Sequence, residues 1–221
     1  MRPMFFARGK RKLFPREYFE LKLPFMKSLP NALTMLRIAV IPVLIVLIWV
    51  GTPSCRWIAL GFYIFACITD YLDGFLARSL NNQTALGRLF DPIADKLLVG
   101  ACLLELCAFD YITGWTILPA LIILLREILV SGLREYLAEL RVGLPVSGLA
   151  KWKTGLQMVS IGFLIVGDAA PSAIPALRLG EVCLWMAAIL TIWTGYDYLR
   201  SGLLHVISSE QKITDENPPS K

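Results

Sequence analysis

The chain has 221 residues, 56% of them hydrophobic and 18% charged, with a formal net charge of +5 and a mean hydropathy of +0.61. That balance excludes a disordered chain and departs from a soluble domain, in which charged residues run near ~25%. The single histidine, His205, excludes paired His-Lys-Asp chemistry, a Ser-His-Asp triad and a histidine-rich metal centre, and the five cysteines lack C-x-x-C spacing and read as small buried hydrophobes.

Residues 1–28 form a basic, aromatic arm. Arg2, Arg8, Lys10, Arg11, Lys12, Arg16, Lys22 and Lys27 alternate with Phe5, Phe6, Phe14, Tyr18, Phe19 and Phe25. The composition suits a segment lying on an anionic leaflet, and equally a solvated basic tail. It is not read as a cleaved signal, because the apolar stretch starts after Pro30, contains Arg37 and lacks a small-x-small site. Six segments then reach spanning length: residues 33–51, 57–77, 89–109, 117–139, 152–167 and 180–203. Turn-forming residues separate them, such as Gly51-Thr52-Pro53-Ser54, Asn81-Asn82-Gln83-Thr84 and Gly143-Leu144-Pro145. The expected fold is an all-α integral membrane protein with six transmembrane helices over residues 29–205, followed by a polar tail over 206–221.

Basic residues orient this bundle. They gather in the arm, around the second–third link (Arg78, Arg88, Lys96), around the fourth–fifth link (Arg134, Arg141, Lys151, Lys153) and in the tail, whereas the opposite loops hold only Arg56 and Arg178. The positive-inside rule puts both termini in the cytoplasm.

The second and third segments carry the chemistry. Thr69-Asp70-Tyr71-Leu72-Asp73-Gly74-Phe75-Leu76-Ala77-Arg78 is followed by Gly87-Arg88-Leu89-Phe90-Asp91-Pro92-Ile93-Ala94-Asp95-Lys96. Asp70, Asp73, Gly74 and Ala77 fall on one helix face, and Asp91 and Asp95 share a face of the next. The short link predicts that these two helices are antiparallel neighbours with both acidic faces turned to one cavity. An intramembrane Asp costs about 2.5–3.5 kcal/mol at a helix centre, so the cluster needs partners. Arg78, Arg88 and Lys96 supply one set, as a salt-bridge cluster; a divalent cation supplies another, and all-oxygen ligation suits Mg²⁺ or Mn²⁺ rather than zinc. Gly74 and Ala77 fit either close helix packing or a ligand lying against the backbone.

These residues spell D-x2-D-G-x2-A-R-x8-G-x3-D-x3-D, from Asp70 to Asp95, which resembles the signature of the CDP-alcohol phosphatidyltransferases with every fixed position filled. The resemblance implies a six-helix membrane enzyme, commonly a homodimer, that uses Mg²⁺ or Mn²⁺, two ions in all. It implies metal binding by Asp70, Asp73, Asp91 and Asp95, with Asp95 as general base or as the last metal ligand. It also implies CDP contacts from Thr69, Asp70, Gly74, Ala77, Arg78 and Gly87. Asn31 and Arg37, in Pro30-Asn31-Ala32-Leu33-Thr34-Met35-Leu36-Arg37, resemble the part of this family that borders the nucleotide; an N-cap and a snorkelling arginine are the structural alternative.

The fourth and fifth segments bear on the acceptor. Arg126 and Arg134 either pair with Glu127 and Glu135 or join Lys151 and Lys153 in lining a cavity for a phosphorylated alcohol. The two lysines are expected nearer water than the arginines. Their stretches are similar to the branch of the family that acts on sn-glycerol 3-phosphate. The expected reaction is therefore transfer from CDP-diacylglycerol to glycerol 3-phosphate, giving phosphatidylglycerophosphate and CMP at the cytoplasmic face of the inner membrane, with the lipid bilayer as partner and no nucleic acid. The same chemistry on inositol phosphate, serine or phosphatidylglycerol stays open, as does a transporter with an acidic cation site. Glu105 and Asp197 receive no assigned role.

Overall fold

The computed structural model describes residues 29–80, 85–139 and 148–216. All the regular structure there is helical: α1 (Leu29–Val50), α2 (Pro53–Leu80), α3 (Ala85–Ala108), α4 (Ile117–Glu139), α5 (Gly148–Val166) and α6 (Ala176–Glu216), with 3-10 turns at Gly114–Thr116 and Gly167–Ala169. The basic arm, the links at 81–84 and 140–147 and the end of the tail at 217–221 lie outside the described residues.

Each helix buries one stripe and leaves apolar side chains on the other. Val40, Leu44 and Ile48 of α1 are buried at i+4 spacing, as are Leu98, Cys102 and Leu106 of α3, while Val46, Trp49, Ile64, Leu125 and Ile128 are exposed. Water would not tolerate so much outward hydrocarbon, whereas a bilayer matches it. Among the described residues, four helices contain stretches long and apolar enough to cross, Ala32–Val50, Pro53–Leu72, Gly114–Ala138 and Ala176–Leu203. α3 carries Asp95, Lys96 and Glu105, and α5 carries Lys151, Lys153 and Gln157.

Packing closes the six helices into a ring in the order α1, α2, α5, α6, α4, α3, with α3 also touching α5 across it. Among the described residues α1 packs extensively against both α2 and α3, and both of these also touch α5.

The longest contact runs between α5 and α6. Gly180 permits it, since a Cβ there would meet Leu164 Cγ at 2.7 Å, and Ser160 Oγ donates to the Gly180 carbonyl at 2.7 Å. The opposite end of α2 is fixed by Arg56. Its Nη1 donates to the Val166 carbonyl at 3.2 Å, and its guanidinium lies 4.1 Å from the centroid of the Tyr111 ring. Asp110 adopts φ +60 just past the end of α3, and Tyr111 N donates back to the Leu106 carbonyl at 2.9 Å. This left-handed helix stop turns Tyr111 under Arg56. The sixth helix was expected to end near residue 203 and instead continues to Glu216. Loss of apolar character marks where it leaves the membrane, and helical hydrogen bonding does not depend on that boundary.

Candidate active site

α1 turns Thr34, Arg37 and Val40 inward on one stripe. Arg37 is 1% exposed, and its Nη1 lies 2.7 Å from Oδ1 of Asp70 on α2. Asp70 keeps 36% of its side chain exposed, so the pair is closed behind the arginine and open in front of the carboxylate. Thr69 is buried beside it. Its hydroxyl donates to the Ala66 carbonyl at 2.8 Å, which leaves the oxygen lone pairs to accept.

Asp95 of α3 stands where the other helices converge. Asp70, Glu127, Arg37, Lys96 and Lys153 are charged groups close enough to act on it, drawn from five helices. Lys96 donates to Ser131 Oγ on α4. Glu127, also on α4, pairs through Oε1 with Lys153 Nζ of α5 and lies 3.4 Å from Arg126 Nη1. Arg126 Nη2 reaches Thr194 Oγ1 on α6 at 3.2 Å. Asp95, Lys96, Glu127, Lys153, Thr154 and Gln157 help line a small polar cavity of about 40 Å³.

The structure thus brings together Arg37, Asp70, Asp95 and Lys153 from the expected set. Arg126 shares Glu127 but turns toward α6, and Arg134 lies with its guanidinium 5.5 Å from the centroid of the Tyr198 ring. Lys151 is exposed. Lys153 is not nearer water than the arginines, as expected, but 4% exposed, because Glu127 draws it into the bundle. Beyond their helical backbone, Asn31, Asp73, Gly74, Ala77, Arg78, Gly87 and Asp91 lie outside the described residues. In register, Asp73 and Gly74 sit one turn further along α2 than Asp70, and Asp91 one turn before Asp95.

Sequence reasoning treated Glu127 only as a pairing partner and passed over Gln157 and Ser131. A signal was present for Gln157. Lys153 and Gln157 are i, i+4 on an otherwise apolar helix, which places two polar groups on one face.

The donor chemistry fits a hard divalent cation: the groups facing the opening are carboxylates, and a carboxylate fixed by an arginine keeps lone pairs for a second cation. Among the described residues no three acidic, Cys or His side chains gather as a metal set; Asp73 and Asp91 are the members of the expected set outside them. A cation held by Asp70 at the mouth would neutralise a polyphosphate, Asp95 deeper in can accept a proton, and lysine and arginine beyond it can hold an anionic co-substrate.

The model of the family described as CDP-alcohol phosphatidyltransferase matches residues 27–193. A relative from Rickettsia typhi, named CDP-diacylglycerol--glycerol-3-phosphate 3-phosphatidyltransferase, is 48% identical over 176 residues, covering 80% of this chain and 97% of its own length. Relatives of the same name come from Haemophilus influenzae, 38% identical over 78% of this chain and 92% of their own, and from Cereibacter sphaeroides, 36% identical over 80% and 96%. The matched family region contains Arg37, Asp70, Asp95, Glu127, Lys153 and Gln157.

Proposed function

Because the chain belongs to the CDP-alcohol phosphatidyltransferases, we propose that it transfers the phosphatidyl group of CDP-diacylglycerol to sn-glycerol 3-phosphate, giving phosphatidylglycerophosphate and CMP. The observation that carries this reading is the single electrostatic cluster of Arg37, Asp70, Asp95, Lys96 and Glu127, at one end of a bundle whose outer surface is hydrocarbon. A liponucleotide needs that combination, since its acyl chains stay in lipid while its pyrophosphate is polar.

In this reading Asp70, Asp73, Asp91 and Asp95 hold two Mg²⁺ or Mn²⁺ ions, which when bound neutralise pyrophosphate oxygens and stabilise the leaving CMP. Arg37 holds Asp70 in place. Asn31, Arg37, Thr69, Asp70, Gly74, Ala77, Arg78 and Gly87 border the CDP moiety. Asp95 takes the proton of the acceptor hydroxyl as its oxygen bonds to the lipid-bearing phosphorus. The pyrophosphate P–O bond breaks, and CMP departs with the bridging oxygen. Arg126, Arg134, Lys151 and Lys153 hold the acceptor phosphate, and for Arg126 and Lys153 the phosphate replaces Glu127 as anion.

The same reading makes the protein a homodimer with six spans in the inner membrane, both termini and the site on the cytoplasmic side. The uneven distribution of basic residues supports that orientation.

The test is CMP release from CDP-diacylglycerol with labelled glycerol 3-phosphate, inositol phosphate or serine, each offered alone. Labelled lipid is expected from glycerol 3-phosphate only. A product from another alcohol overturns the acceptor assignment. No CMP release with any of them overturns the transfer reading and favours an acidic cation site in a transporter.

A further inference from the structure

The cavity of about 40 Å³ beside Asp95 is bounded on its α5 side by Lys153, Thr154 and Gln157. Gln157 is 3% exposed, deep in the bundle. Its Oε1 has no hydrogen-bond donor among the described residues. Buried amide oxygens in folded proteins are satisfied in the great majority of cases, and one left bare is costly. This oxygen therefore calls for a donor that the described residues do not provide.

The cavity limits what that donor is. The ammonium groups on its wall are engaged, Lys96 with Ser131 and Lys153 with Glu127. At about 40 Å³ the space suits the small polar groups of a polyol phosphate and not a nucleotide. Lys153 and Gln157 are i, i+4 on α5, stacked on one face with a rise of about 6 Å between them. A three-carbon polyol phosphate spans that distance, with its phosphate at the lysine and its hydroxyls at the amide and at Asp95.

We propose that Gln157 is a specificity-determining residue: its Oε1 accepts a hydrogen bond from the acceptor hydroxyl adjacent to the one that attacks. The site thereby selects a polyol phosphate over an alcohol phosphate lacking that second hydroxyl. The inference rests on the phosphatidyl-transfer reading and names a residue that reads the acceptor within it.

The test compares two acceptors on the full-length protein in mixed micelles with CDP-diacylglycerol: sn-glycerol 3-phosphate, and 3-hydroxypropyl phosphate, which lacks the middle hydroxyl. Wild type prefers glycerol 3-phosphate by about 10- to 100-fold in kcat/KM, the scale of one buried hydrogen bond. Gln157→Leu loses about that factor with glycerol 3-phosphate. It keeps its activity on 3-hydroxypropyl phosphate and its KM for CDP-diacylglycerol within about twofold of wild type on the same scale, and that retained activity certifies its fold. Gln157→Met, which keeps the side chain's length, is read by the same ratio if the leucine variant does not fold. Equal use of the two acceptors by wild type, or equal loss on both in the variants, overturns the proposal and leaves a water as the amide's partner. Failure of wild type to use glycerol 3-phosphate at all counts instead against the transfer reading.

Discussion

Arg37 and Asp70 meet at 2.7 Å with the arginine almost wholly enclosed and the carboxylate 36% exposed. The two ends of this ion pair therefore do different work. The arginine joins α1 to α2 inside the bundle, and the carboxylate, held from behind, presents its open side to the cavity. Removing one partner of a buried pair leaves an uncompensated charge, so which of the two is mutated matters.

Arg37→Gln is expected to lower both the melting temperature and kcat/KM, the latter by about 10-fold or more, since the loss of a hydrogen bond to a charged group costs about 1.5–3 kcal/mol. Asp70→Asn keeps an oxygen for Arg37 to bind but leaves the enclosed guanidinium without its counter-charge, so it is expected to lower the melting temperature and to lose metal-dependent turnover. Thermal denaturation and initial rates on the same preparations check this. An Asp70→Asn protein with wild-type turnover contradicts it.

Chelation is expected to abolish turnover, with Mg²⁺ or Mn²⁺ restoring it. Asp91→Asn raises the metal concentration needed, and excess Mn²⁺ partly rescues it. Asp95→Asn lowers kcat more than metal affinity, because its carboxylate also takes the proton. Metal titrations of the rate separate the two, and near wild-type kcat in Asp95→Asn at saturating metal would remove the proton-acceptor role.

For the acceptor clamp, Arg126→Gln and Lys153→Gln are expected to raise KM for glycerol 3-phosphate by about 10- to 150-fold with little change for CDP-diacylglycerol. Arg134→Gln and Lys151→Gln have smaller effects, because both side chains are exposed and exposed charges are screened. Kinetics with each substrate varied in turn decide it. Arginine variants that lose donor affinity and keep acceptor affinity would move the clamp to the nucleotide.

Gly180→Ala is expected to destabilise the bundle by about 1–3 kcal/mol, since overpacking a close contact forces side chains and backbone to shift. Gly61→Ala is the control, because a Cβ there meets nothing within 4 Å. Thermal melts in detergent compare them, and equal melting temperatures would show that α5 and α6 have slack.

The helices were legible because apolar runs and turn residues are local signals. Residues 117–139 were expected as one helix, and α4 has those bounds. The packing of α2 and α3 against α1 and α5 was not legible, because chain proximity constrains ends and not packing faces. The carboxylates were legible through their spacing, which a helix converts directly into a shared face. The pairing of Arg37 with Asp70 was hidden although both residues were already on the candidate list, since nothing local ties position 37 to position 70. Glu127 was harder still. It was seen beside Arg126, its neighbour in sequence, yet it also pairs with Lys153 one helix away. An ion pair between helices is written in neither helix alone.

Arg56 adds a matter of timing. The carbonyl it binds, on Val166, follows it by 110 residues. A ribosome adding roughly 5–20 residues per second takes about 6–22 s to deliver that partner. Through that interval the nascent chain carries a guanidinium at the far end of α2 with its final acceptor still unsynthesised. Tyr111 emerges about halfway and offers the first resting place for the charge. Biogenesis of this protein is thus a staged event: the far end of the bundle closes only when the end of α5 has been made, and a chain released before that point leaves the arginine without its last bond.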